Sequence, residues 1–233
     1  MKLFTKLKRY DDTHNFTCDV CGREVFTHTR VCEKCRDRLP MNDGLVCPYC
    51  GRKVREPGVC IECRTRPVGV EKARSVCLYK GEAKRLVVRY KRGEKYLYRT
   101  LAELALPLAE REFPDVDAIM GVPMTEKATK KRGYNQAALL AECLAERMQK
   151  PAISPVVKHK ETASQKSLTR KERESNLDGC FRVASRGEIK GKRILIVDDV
   201  LTTGATVFAL ADVMSRAGAA KVYALTFAST EKK

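Results

Sequence analysis

Residues 193–207 read RILIVDDVLTTGATV, and the fold turns on how this stretch is understood. Four consecutive apolar residues, Ile194 to Val197, predict a buried strand with Asp198 and Asp199 at its C-terminal end. Thr202, Thr203, Gly204, Ala205 and Thr206 follow, leading into a helix expected from about Thr206 to Ala217. A phosphorylatable receiver domain also opens on an acidic strand, but it needs several further βα units and a second aspartate strand. Only 34 residues follow Asp199, room for about one βαβ unit of roughly 30 residues, so the receiver reading is disfavoured.

The order of side chains suits a different chemistry. Ligands of open α/β sheets bind beyond the C-terminal ends of the strands, and successive N–H groups leading into a helix form an anion nest. Gly204 lets the backbone approach a ligand closely, and threonine hydroxyls can donate to phosphate oxygens. The two carboxylates cannot hold phosphate, but they can accept hydrogen bonds from a vicinal diol. A 5-phosphorylated ribose carries both groups on one sugar. Turn formation and helix capping would account for one or two of these seven residues, not for all of them in this order.

Around this segment the chain alternates between strand and helix patterns. DVDAIMGVP (115–123), PAISPVVKH (151–159), CFRV (180–183) and KVYALTFAS (221–229) read as strands. GEAKRLVVRYKRGE (81–94) reads as a short basic helix, and NQAALLAECLAERMQK (135–150) as a helix with Leu140, Leu144 and Met148 on one face. The spacing Leu97, Leu101, Leu104, Leu108 predicts another amphipathic helix, with Pro107 a kink or an early end. The alternation predicts an α/β fold with a mainly parallel sheet flanked by helices. Residues 158–179 are polar, highly charged and long enough for a mobile functional loop.

Eight of the eleven cysteines fall in four C-x-x-C pairs: Cys18/Cys21, Cys32/Cys35, Cys47/Cys50 and Cys60/Cys63. They belong to an internal repeat, since CDVCGREVFTHTRVCEKCRDR overlays CPYCGRKVREPGVCIECRTR with one residue fewer between the pairs of the second copy. Stable disulfides are disfavoured in a cytosolic setting, redox C-x-x-C motifs occur singly before a helix, and iron–sulfur spacing is more compact. Two structural Zn²⁺ sites remain, with no open coordination position. The repeat favours Cys18, Cys21, Cys32 and Cys35 around one ion and Cys47, Cys50, Cys60 and Cys63 around the other, while interleaved pairing stays open. His14, His28 and His159 read as surface histidines rather than ligands. The cysteines give way to ordinary globular patterning near residue 68, which divides the chain into a small module at 1–67 and a larger domain at 68–233.

The chain has 233 residues and a formal charge of +17, which favours polyanionic partners; zinc-bound thiolates reduce it to about +13. Residues 71–233 hold 32 Lys and Arg against 20 acids, so the cationic surface belongs mostly to the larger part. The absence of a long apolar run predicts a soluble, cytoplasmic protein without membrane insertion.

ILIVDDVLTTGAT resembles the phosphoribosyl-pyrophosphate signature of type I phosphoribosyltransferases. More narrowly, the chain resembles the ComF family, competence-associated proteins that join a double zinc ribbon to a phosphoribosyltransferase-like domain. The four C-x-x-C pairs, YKRGE at 90–94, VPMTEKATKKRGYNQAALLA at 122–141, and T-x-x-Q-x-x-L at 162–168 with Arg173, Asn176 and Phe181 beyond carry the likeness. It implies that Asp198 and Asp199 grip the ribose hydroxyls of phosphoribosyl pyrophosphate (PRPP), bound with Mg²⁺, and that Thr202 to Thr206 hold its 5-phosphate. It assigns Val122, Pro123, Lys130, Lys131 and Arg132, with Lys127 and Gly133 nearby, to a pyrophosphate loop. Lys158, Lys160, Thr162, Gln165, Arg173 and Asn176 correspond to a flexible hood; members often carry an arginine where Lys158 and Lys160 stand, and lysine loses its bidentate geometry. The implied activity is phosphoribosyl transfer in natural competence, with acceptor and catalytic base unknown. Single-stranded DNA and a competence helicase are the implied partners, and a catalytically silent nucleotide or nucleic-acid binding module is the alternative.

Overall fold

The eight paired cysteines gather into two groups before the main sheet begins. The computed structural model describes residues 17–25, 29–65, 69–160 and 179–231. Cys18, Cys21, Cys32 and Cys35 bring four ligand atoms within 4.8 Å of one another, and Cys47, Cys50, Cys60 and Cys63 do the same. Pairing is therefore consecutive, and the interleaved alternative is excluded. A tetrahedral Zn²⁺ with Zn–S of about 2.3 Å needs sulfurs about 3.8 Å apart. Cys21 and Cys32 lie 3.9 Å apart and Cys50 and Cys60 3.7 Å, so the thiolate sets fit structural zinc.

The sequence repeat is also a repeat of hydrogen bonds. The Cys18 N–H donates to the Arg23 carbonyl at 2.7 Å and the Cys47 N–H to the Arg52 carbonyl at 2.8 Å. The Cys32 N–H reaches Cys18 Sγ at 3.3 Å, and the Cys60 N–H reaches Cys47 Sγ at 3.4 Å. Burial opposes ionisation of Cys18 and Cys47, yet these and neighbouring backbone donors hold both thiols down to about 7. Burial pushes Cys35 and Cys50 up to about 12, a penalty that a bound dication removes. Each copy closes on a short helix, α1 (Glu33–Asp37) after Cys32 and α2 (Ile61–Arg64) after Cys60.

The larger part follows as β1 (Lys72–Leu78), α3 (Gly81–Lys91), a 3₁₀ turn (Lys95–Leu97), α4 (Tyr98–Glu112), β2 (Ala118–Gly121), α5 (Glu126–Arg132), α6 (Gln136–Arg147), β3 (Val156–Lys158), β4 (Phe181–Val183), β5 (Arg193–Leu201), α7 (Ala205–Arg216) and β6 (Lys221–Ser229). β1, β6, β5 and β2 form, in that order, a fully parallel sheet, while β3 and β4 make a small antiparallel ribbon. Ile194 to Val197 of β5 are all buried, as a strand covered on both faces requires. α4 does not end at Pro107 but runs on to Glu112. Pro107 is exposed, so water can satisfy the carbonyl that its missing N–H leaves unpaired. Leu101 and Leu104 are buried on α4, and Leu97 is buried in the turn before it. No helix among the described residues is long and apolar enough to cross a membrane.

Strand order locates the crevice. From β5 the chain passes through α7 to β6 on one side, whereas from β2 it continues to Ala152, which bridges Ile119 in parallel. The connections leaving β5 and β2 thus diverge, and in open α/β sheets ligands bind at such a switch point.

The two ribbons are built into the sheet's flanks. Cys18, Val31, Cys35 and Leu39 of the first share a core with α3, α4 and α6, while Cys47 and Cys50 of the second share the opposite core with α7. Between them, residues 40–42 cover the outer edge of β1: the Leu78 N–H donates to the Pro40 carbonyl at 2.7 Å and the Asn42 N–H to the Val76 carbonyl at 2.9 Å. A free strand edge is an aggregation template, and this linker closes it. The boundary expected near residue 68 falls within 66–68, outside the described residues.

The glycines of the two C-x-x-C-G knuckles offer an internal control. Both adopt positive φ, +73° at Gly22 and +67° at Gly51. A Cβ at Gly22 meets nothing within 4 Å, whereas one at Gly51 would lie 2.3 Å from the Ala73 carbonyl oxygen. Gly22→Ala is expected to destabilise by about 1 kcal/mol through backbone strain alone. Gly51→Ala should cost distinctly more, because the second ribbon must also move off β1. Chemical denaturation of both variants measures the difference; equal losses would show that the close approach to β1 is unimportant.

Candidate functional site

Near the C-terminal edge of the sheet β5 carries the two aspartates, runs on through Val200 and Leu201, and the chain then turns sharply into α7. Gly204 supplies the turn with φ +79°, and a Cβ there would lie 2.4 Å from the Phe208 ring, so backbone conformation and packing both demand glycine. The Phe208 N–H donates to the Gly204 carbonyl at 2.9 Å, starting the helix, and Thr203 Oγ1 accepts from the Ala205 N–H at 3.3 Å. The loop therefore presents backbone and hydroxyl groups at the start of a twelve-residue helix.

A cleft of about 440 Å³ opens at this point, and residues 198–207 form its floor and one wall. Val122 and Met124 after β2, Arg132 at the end of α5, Lys158 at the end of β3, Lys91 of α3 and residues 135–137 are among the rest of the lining. Of the expected pyrophosphate-loop residues, Val122 and Arg132 reach the cleft; Pro123, Lys130 and Lys131 are not among its lining. The segment is a helix rather than a loop. Thr125 caps it by accepting from the Ala128 N–H at 3.2 Å, Glu126 stands in the first turn and the cations in the last, and Gly133 ends it at φ +85°. Those are complete start and stop signals, hidden behind the run of positive charge. Lys127, Lys130, Lys131 and Arg132 are exposed.

Of the expected hood, Lys158 lines the cleft, with its ammonium 6.0 Å from the centre of the Phe181 ring. Lys160 is exposed and stands outside the lining. Thr162, Gln165, Arg173 and Asn176 lie outside the described residues, as do His14 and His28.

Sequence reasoning gave no role to Lys91, the residue the structure places against the acidic pair. Its ammonium is 2.8 Å from an Asp199 carboxylate oxygen. Burial alone would lower the Lys91 pKa, but attraction to Asp199 and Asp198 holds it above the ordinary lysine value. Burial and the neighbouring Asp199 push the Asp198 carboxyl up as well, to about 7. Asp199 is thus tied down by a cation, and Asp198, whose Oδ1 accepts from the Asp199 N–H at 2.8 Å, is the more exposed carboxylate of the pair.

Two aromatic residues hold Lys91 in place. Tyr90 OH donates to the Gln136 carbonyl at 2.8 Å, and Tyr134 OH donates back to the Tyr90 carbonyl. Their rings lie 5.7 Å apart, both buried. Asn135, which caps α6, donates to the Val122 carbonyl at 3.0 Å and so fixes the exit of β2. YKRGE and KRGYNQ, both visible in the sequence, are therefore two halves of one contact at the wall of the cleft.

Comparison with known proteins agrees with this architecture. Residues 15–64 match the double zinc ribbon domain and residues 134–233 the phosphoribosyl transferase domain. The chain is 30% identical over 223 residues to Competence protein ComFC of Bacillus subtilis, covering 91% of this chain and 90% of that one. It is 29% identical over 219 residues to Competence protein F of Haemophilus influenzae, covering 89% and 94% respectively. It is 32% identical over 216 residues to DNA utilization protein YhgH of Salmonella typhi, covering 88% and 93%. With both of its parts matched and likeness running along nearly its whole length, the chain belongs to the ComF family of competence proteins.

Proposed function

We propose that the cleft binds PRPP together with Mg²⁺ and transfers its phosphoribosyl group to an acceptor during the cytoplasmic handling of DNA. One observation carries this reading: a half-open carboxylate pair and an anion nest share one cleft at the switch point of a parallel sheet. The 5-phosphate sits on the N–H groups and hydroxyls of Thr202 to Thr206, and Asp198 accepts from the ribose diol. Asp199, neutralised by Lys91, contributes an oriented oxygen. The role in DNA handling rests on the relatives named for competence and DNA utilization.

The carboxylate oxygens of Asp198 and Asp199 are hard donors that suit Mg²⁺ held jointly with the substrate's own oxygens. When bound, Mg²⁺ would neutralise charge on the departing diphosphate. The chain's own residues then act mainly by position and charge. As the bond from C1 to diphosphate lengthens, C1 gains oxocarbenium character, and the nearby carboxylates favour that positive charge. Arg132 and Lys158 at the cleft wall attract the leaving anion. The nest and Asp198 hold the sugar while the acceptor enters from the opposite face.

Asp198→Asn is the cleanest test, because it spares the Lys91–Asp199 pair, whereas replacing Asp199 strands a half-buried ammonium. Calorimetry should show Mg²⁺-dependent PRPP affinity weakened by at least about tenfold, the loss of one good polar contact. Unchanged affinity in a folded, zinc-replete variant would overturn the assignment. The pH profile gives a second test. The diol needs an ionised acceptor, and the Asp198 carboxyl is held up to about 7, so affinity should rise as pH increases through that value. In Asp198→Asn this rise should be flattened; a profile identical to wild type would assign the titration elsewhere.

The exposed cations of α5 favour a second reading, contact with a nucleic-acid backbone beside the cleft. On that reading, single-stranded DNA binding should survive Asp198→Asn and weaken in Lys127→Gln/Lys130→Gln/Lys131→Gln with a shallower salt dependence. Fluorescence anisotropy at two or more salt concentrations distinguishes the outcomes, and undiminished binding by the triple variant would refute it.

A further inference from the structure

Arg52 belongs to the second zinc ribbon, yet it is buried to 4% exposure, and its guanidinium ends at the phosphate-type loop. Nη2 donates to the carbonyl of Thr202 at 2.6 Å, and Nη1 pairs with Glu62 of α2 at 3.2 Å. Glu62 in turn lies 4.0 Å from Cys60 Sγ, one of the second group's sulfurs. Polar contacts thus run from Glu62, beside the second cysteine cluster, through Arg52 to the first residue of the loop. Thr230 Oγ1 also donates to the Thr202 carbonyl, at a longer 3.4 Å.

We infer that Arg52 is a positioning residue for the loop at 202–206, so that the second ribbon forms part of the ligand site. The peptide bonds of the described residues are all trans, so the Thr203 N–H points opposite to the Thr202 carbonyl. Anchoring that carbonyl on a buried guanidinium therefore fixes the direction of the Thr203 N–H. A buried arginine bond to a carbonyl is charge-assisted and short, and two forked contacts leave the guanidinium little freedom. The repeat shows that the contact is specific to one copy. Arg23 occupies the same place in the first C-x-x-C-G-R knuckle and is exposed, on a ribbon packed against α3 and α4 instead.

This inference rests on the proposal that the loop receives a 5-phosphate, so the experiment separates the two. Hydrogen exchange of the backbone amides at 203–206, measured without ligand, should speed up in Arg52→Met, stay unchanged in Arg23→Met, and recover partly in Arg52→Lys. Calorimetry with ribose 5-phosphate should show about tenfold to hundredfold weaker binding in Arg52→Met, the range for loss of a hydrogen bond to a charged group. Inorganic pyrophosphate, which does not need this loop, should bind the variant as it binds wild type. Glu62→Gln, which loosens the arginine without removing it, should fall between Arg52→Met and wild type, and zinc content identifies any variant whose ribbon has failed to form. Unchanged exchange in both Arg52→Met and Glu62→Gln would overturn the positioning role. Parallel weakening of both ligands would overturn it too, because general destabilisation does not discriminate between them. If wild type binds neither ligand, the proposed function fails while the exchange rates still decide the role of Arg52.

Discussion

Two adjacent carboxylates at the end of a sealed strand are the constraint around which the rest of the larger part is arranged. Asp198 and Asp199 follow four buried apolar residues, and like charges so close together cannot both ionise there without compensation. Lys91 compensates one of them, and it comes from α3, over a hundred residues earlier in the chain. Its position depends on the reciprocal hydrogen bonds of Tyr90 and Tyr134, which lock the end of α3 against the start of α6. The start of α6 is pinned through Asn135 to the exit of β2. Four elements thus converge on one electrostatic problem, and their convergence forms the walls of the cleft.

The ribbons show how a duplicated unit can be put to two uses without changing its chemistry. Both copies keep the same knuckle bonds and the same cysteine spacing up to one residue. Their outer surfaces differ. The first copy sends Asp19 to Thr100 and receives Arg89 on the Asp19 carbonyl, so it braces the two helices behind the cleft. The second lays Gly51 against Ala73 and extends Arg52 to the loop at the cleft's floor. A metal site of fixed geometry suits both tasks, because thiolate coordination holds a small fold rigid where an apolar core would be too small to do so.

What was legible in the sequence follows from the range of the interactions involved. The β5 strand, its terminal acids and the following turn are contiguous, and the cysteine pairs announce themselves by spacing, so both could be read directly. The repeat favoured consecutive pairing of the knuckles but left interleaved pairing open, and the positions of the sulfurs decide it. Lys91 could not be assigned, because its partner is distant and nothing local distinguishes it from the cations around it. α5 was misread for the opposite reason: four cations drew attention to charge, although Thr125, Glu126 and Gly133 spelled out a helix. Arg52 and Arg23 stand in identical motifs, and only tertiary packing separates a buried clamp from an exposed side chain.

The arrangement of charge in the cleft reconciles a strongly basic chain with an acidic motif. Asp199 is 7% exposed, Asp198 and Lys158 are partly exposed and Arg132 is exposed, which recesses one acid and sets a cation outermost. An approaching anion therefore meets positive potential first, and at these distances salt screens the outer cations more strongly than the recessed pair. A long polyanion can satisfy the outer layer alone. On the proposed function, the ligand that passes inward is small and carries hydroxyls as well as phosphate, with its anionic end on the nest and its donors toward Asp198. The same layering explains why the excess of Lys and Arg and the paired aspartates do not cancel: they act at different depths, on different parts of a ligand.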